Sequence, residues 1–69
     1  MKKATRKYPV VNIGDMWETT GRRMFVVYMV QGDKFRCEWS PLNPEYKPFT
    51  LHRRAFLAFT KIAEGVRLQ

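Results

Sequence analysis

The stretch that decides the fold runs from Arg22 to Ser40: RRMFVVYMVQGDKFRCEWS. After two arginines, residues 24–30 are apolar without interruption, a pattern open to a strand buried on both faces or to a helix segment. Three valines, a Phe and a Tyr in that run, bounded by Gly21 and Gly32, choose the strand, because β-branched and aromatic side chains suit a pleated surface. The return half agrees. Between Lys34 and Ser40, apolar residues fall at 35, 37 and 39 and polar ones at 34, 36, 38 and 40. A period of two places Phe35, Cys37 and Trp39 on one sheet face and Lys34, Arg36 and Glu38 on the other. Gln31-Gly32-Asp33 has the length and the glycine of a hairpin loop.

Working outward, residues 1–7 (MKKATRK) carry four positive charges and read as a mobile basic arm, with a single small domain over residues 8–69. YPVVNIGDMW suits an extended lead-in and a turn at Gly14-Asp15; MWETT follows as a short strand closed by Gly21. Downstream, PLNPEYKP holds prolines at 41, 44 and 48, which neither a helix nor a central strand tolerates, so a loop is expected, ending in a short strand at Tyr46 to Thr50. The tail then changes period. Leu51, Ala55, Ala58, Phe59 and Ile62 form one helical stripe, with Thr50 as N-cap, Gly65 as stop, and His52, Arg53, Lys61 and Glu64 outward. FTKIAEGVRL is also readable as a short closing strand.

The expected fold is therefore mainly β: four to five short strands and a C-terminal helical turn, bent into a small antiparallel barrel whose closure removes exposed edges. An open antiparallel sheet packed by one helix is the competing arrangement. IGDMWETTGRRMFVVYMVQGDKFRCEW, then a loop, then LHRRAFLAF, resembles the small Src-homology-3-like barrels, in which a Gly-Asp turn, a strand, a central hairpin and a helical turn before the last strand follow in order. The order is similar to that of short phage and prophage proteins. The resemblance covers Val11 to about Thr60 and implies a binding module; it assigns no functional residue.

Composition narrows the chemistry. Sixty-nine residues, nearly half apolar and ten aromatic, support one compact core. Cys37 is the only cysteine, so no internal disulfide forms, and with one His no zinc site of ordinary spacing is available; no metal or cofactor is expected. Four isolated glycines make no nucleotide-binding loop. Cys37 sits at an inward position with nothing nearby to lower its pKa, and His52 has no identifiable partner for general-base work, so an enzyme is not expected. The longest apolar run is seven residues, far below the roughly 20 of a spanning helix, and the start lacks the apolar stretch of a signal peptide; a cytoplasmic protein is expected.

Charge is the most informative bulk property. Thirteen Lys and Arg against six Asp and Glu give +7, which steers a small domain toward polyanions. Three cationic clusters are candidates for a shared surface: Lys2, Lys3, Arg6 and Lys7 on the arm; Arg22, Arg23, Lys34 and Arg36 on the hairpin; Arg53 and Arg54 at the helix start. Bases stack on exposed rings, and Trp17, Tyr28, Trp39 and Tyr46, the last beside Lys47 in the proline loop, are the candidates for that role, with the alternation favouring the core for Trp39. The leading expectation is a binding module for nucleic acid, DNA or RNA, or a nucleoprotein complex. The alternatives are a modulator docking on an acidic host protein and a structural homo-oligomer joined through the apolar Met24 to Val30 run.

Overall fold

The computed structural model describes residues 8–41 and 45–67. The hairpin forms as its pattern requires: β2 spans Met24–Gln31 and β3 spans Lys34–Ser40, antiparallel, with Gln31 opposite Lys34. The loop is therefore the two residues Gly32 and Asp33, one fewer than the sequence suggested. Gly32 has φ of +62°, the left-handed value that the first position of a tight two-residue hairpin turn accepts from glycine. A register shift between Val27 and Met29 bulges β2 and bends the hairpin.

On either side of this hairpin the sheet grows by one strand at a time. β1 (Met16–Glu18) pairs with β2, and β4 (Phe49–His52) pairs with β3. β5 (Thr60–Ala63) returns to pair with β1, giving one antiparallel sheet in the order β4-β3-β2-β1-β5. The sheet is open, with β4 and β5 at its edges, which corrects the expectation of a closed barrel. These two strands are only four residues long, and a short 3-10 helix lies between them in the chain. The lead-in turn forms at Asn12–Asp15: Asp15 N–H donates to the Asn12 carbonyl at 3.1 Å, and Gly14 adopts φ of +94°.

The tail departs from the helical stripe. Leu51 belongs to β4, Arg53–Ala58 is a six-residue 3-10 helix, and Ile62 lies in β5. The N-cap is His52 rather than Thr50: its Nδ1 accepts a hydrogen bond from Arg54 N–H at 3.2 Å. Backbone pairing explains why the helix stops early. β5 satisfies the free edge of β1, and a helix continued to Gly65 would leave those groups without a strand partner. The short helix also aims a different residue inward. Phe56, absent from the predicted stripe, is 1% exposed, whereas Ile62 is 43% exposed.

The core lies on one face of the sheet. Trp17, Phe25, Val27, Phe35, Cys37 and Phe56 form it, with Val11, Trp39, Phe49, Leu51 and Phe59 packed around them. Phe56 makes edge-on contacts with Trp17 (5.0 Å between ring centres), Phe35 (5.3 Å), Phe25 (5.9 Å) and Phe59 (5.9 Å), so β1, β2 and β3 all curve around one ring. The apolar run of β2 is buried on both faces only at Phe25, Val26 and Val27; Met29 and Val30 are exposed.

Candidate functional site

The turn joining β1 to β2 sets the site. Thr19 Oγ1 accepts hydrogen bonds from Gly21 N–H and Arg23 N–H, both at 3.2 Å, while Arg22 N–H donates to the Thr19 carbonyl at 2.9 Å. This knot holds Arg22 at φ of +67°, the left-handed region that costs a non-glycine residue about 1 kcal/mol. Both arginines are thereby placed at the end of the hairpin where β3 finishes.

There Arg23 enters an aromatic stack. Its guanidinium carbon lies 4.1 Å from the centre of the Trp39 ring and 5.0 Å from that of Tyr46. Trp39 also stacks on Phe49 at 4.6 Å with 30° between the planes. Phe49 reaches Trp39 from β4 and Arg23 reaches it from the β2 side, on opposite flanks of β3, so the contacts run in the order Phe49, Trp39, Arg23, Tyr46. An open cleft of about 350 Å³ is lined by Arg22, Arg23, Trp39, Pro41 and Tyr46, among others. Such a volume lies at the lower end of small-ligand clefts. Tyr46 is half exposed and Lys47 beside it is exposed.

The remaining cations are dispersed. Arg36, half-buried on the outer face, donates from Nε to the Tyr28 hydroxyl at 3.2 Å, which accounts for that ring. Lys34 lies opposite His52 at the far end of the hairpin, about 17 Å from Trp39 at roughly 3.3 Å per residue along β3. Arg53 is at that far end too, tied to Asp33 by a 3.2 Å ion pair and by its backbone N–H to the Asp33 carbonyl at 2.8 Å. Its guanidinium also sits 4.9 Å from the centre of Tyr8. Arg54 is exposed. Lys2, Lys3, Arg6 and Lys7 lie outside the described residues.

Of the predicted residues, the fold thus brings Arg22, Arg23 and Tyr46 together and carries Lys34, Arg53 and Arg54 to the opposite end. Trp17 is corrected: at 3% exposure it belongs to the core, its ring against Phe56, and no base can reach its faces. Its Nε1 is buried without a hydrogen-bond partner among the described residues. The aromatic partner that sequence reasoning set aside is Trp39. Hairpin register held the missing signal. With Phe25 opposite Trp39, Arg23 is the diagonal neighbour of Trp39 on the same face, within reach of a long side chain.

Away from the cleft, Asp15 is almost fully buried; it accepts a hydrogen bond from Asn12 N–H at 2.8 Å and lies 3.8 Å from Lys61 Nζ. The Lys61 ammonium bonds Glu64 at 2.7 Å, a contact that raises the pKa of the lysine and lowers that of the glutamate. Cys37 is free and buried, and burial pushes its thiol up to about 12. Among the described residues, no three of His, Cys, Asp and Glu are grouped to hold a metal ion, and no helix is long and apolar enough to cross a membrane.

Comparison with known proteins finds no matching family model, no matching curated protein and no matching solved structure.

Proposed function

We propose that this protein is a small nucleic-acid-binding module. The observation that carries the reading is the cleft in which Arg22 and Arg23 meet the rings of Trp39 and Tyr46, on a domain of net charge +7. Guanidinium groups bind phosphate, and exposed rings stack on bases; single-strand binders combine these two elements. In this reading Lys47 beside the cleft, the exposed Lys34 and Arg54, and the half-buried Arg36 add phosphate contacts. No step of bond-making chemistry is assigned to it, and its compartment in this reading is the cytoplasm.

A Src-homology-3-like architecture is part of the same proposal. The Gly14-Asp15 turn, the central hairpin and the 3-10 helix before β5 follow one another as the resemblance requires, and the open sheet curving around Phe56 is compatible with such a topology.

Titration of labelled single-stranded and duplex oligonucleotides tests the function. If about four cations engage a single strand, affinity should fall about 50-fold between about 50 and about 200 mM salt. No binding at the lower salt eliminates the reading. A second reading, docking on an acidic host protein, draws on the exposed Met29 and Val30 of β2, with Val10 sharing a surface cleft with Val30. Retention of a specific acidic protein, with nucleic acid not retained, would favour it.

A further inference from the structure

We infer that the cleft between Trp39 and Tyr46 takes one unpaired nucleobase, so that the module selects single strands over duplex; this rests on the nucleic-acid reading above. The base enters the layer that Arg23 holds in the free protein, and the displaced guanidinium turns, with that of Arg22, to the flanking phosphates.

Three features support this exchange. First, the slot has the right composition. Arg23 is a flat, delocalised cation lying between two rings, 4.1 Å from one centre and 5.0 Å from the other, where a flat base would also fit. Phe49 backs the Trp39 ring, so the far wall of the slot is braced by the core, while Tyr46 on the near side is 50% exposed. Second, the exchange is favourable in kind. An exposed cation–π contact is weak, whereas a base stacked on an aromatic ring contributes more, and the arginine gains a phosphate as it leaves. Third, the left-handed Arg22 keeps a second guanidinium on the rim of the cleft, so a charge remains at the mouth while Arg23 moves.

Selectivity follows from geometry. In a duplex, both faces of each base are stacked on neighbours, and the rings of the cleft have nothing to accept. Duplex therefore meets only the cations, and its affinity should owe nothing to Tyr46.

The test uses the whole chain and three oligomers of about twelve units: oligothymidine, the same sugar-phosphate strand without bases, and a duplex. Wild type, Tyr46→Phe and Tyr46→Ala are titrated against each at one salt concentration. Oligothymidine should bind about tenfold tighter than the abasic strand, Tyr46→Ala should remove that difference, and Tyr46→Phe should keep it. Tyr46→Ala should leave duplex binding unchanged. In NMR spectra the Arg23 side-chain protons, shielded by the two rings, should move downfield with oligothymidine and stay in place with the abasic strand. Equal affinities for all three oligomers, insensitive to Tyr46 and lowered by salt, would overturn the base site while leaving charge-driven binding intact. No affinity for any oligomer would remove both. A downfield Arg23 shift with the abasic strand would show phosphate alone drawing the arginine out, against the exchange.

Discussion

Replacing Phe56 by alanine puts the reading of the C-terminal segment at greatest risk. Phe56 is the single buried residue of the 3-10 helix and touches four aromatic rings between 5.0 and 5.9 Å. Truncating a fully buried Phe costs about 3–5 kcal/mol, from lost transfer energy and the cavity left behind. At roughly 0.05–0.15 kcal/mol per residue, a chain of 69 residues has only about 3–10 kcal/mol of total stability. Phe56→Ala should thus bring the protein to the edge of unfolding at room temperature. Phe56→Leu, which fills much of the space but forfeits the edge-on ring contacts, should cost about 1–3 kcal/mol and remain measurable. Ile62→Ala, on an exposed side chain of β5, should cost less than about 1 kcal/mol. Urea denaturation followed by circular dichroism, with the three variants compared at equal slope, gives the ordering. Had the tail formed the amphipathic helix of its 3.6 period, Ile62 would face the core and Phe56 would not. An Ile62→Ala loss equal to or larger than that of Phe56→Leu would refute the packing described above.

Three further outcomes are expected. Asp15→Ala should destabilise by about 2 kcal/mol, since it removes a buried charge-assisted bond to Asn12 N–H; Asp15→Asn, which keeps an acceptor oxygen, should lose less, and equal midpoints for the two in urea would contradict the assignment. Arg22→Gly should leave the melting temperature unchanged or raise it by about 5 °C, because glycine accepts φ of +67° without strain, while oligonucleotide affinity drops several-fold; a lower melting temperature would show that the arginine side chain itself braces the turn. Cys37 keeps its proton up to about pH 12 in the folded state but loses it above 9 when unfolded. The unfolded state then binds fewer protons, so stability should fall above pH 9, by at most about 1.4 kcal/mol per pH unit, and Cys37→Ala should remove that component of the slope. Native protein at pH 8 should resist thiol reagents that modify the denatured chain at once; rapid labelling of the native form would disprove the burial.

Much of the fold was legible because its strongest signals are local. The alternation at Phe35, Cys37 and Trp39 and the glycine at the hairpin tip depend on neighbours two or three residues away, so β2, β3 and the turn between them could be read from the chain. The Gly14-Asp15 turn was legible for the same reason. The tail was not. Leu51, Ala55, Ala58, Phe59 and Ile62 satisfy a helical period, but the segment is divided by what lies across from it. β4 is held by the unpaired edge of β3, β5 by the unpaired edge of β1, and only six residues between them are left to turn.

The candidate site divides along the same line. Charge, its excess over acidic groups and the presence of aromatic residues near arginines are properties of the sequence, and they alone direct attention to a polyanionic partner. Which cation meets which ring is a matter of register and curvature. Pairing Phe25 with Trp39 puts Arg23 on that ring, and Tyr46 meets the same guanidinium, although 23 and 46 are far apart in the chain. The same curvature draws Trp17 into the core and carries Arg53 to the opposite end, against Asp33. Short-range chemistry writes the strands and the net charge into the chain; distances between remote side chains exist only once the sheet has bent around Phe56.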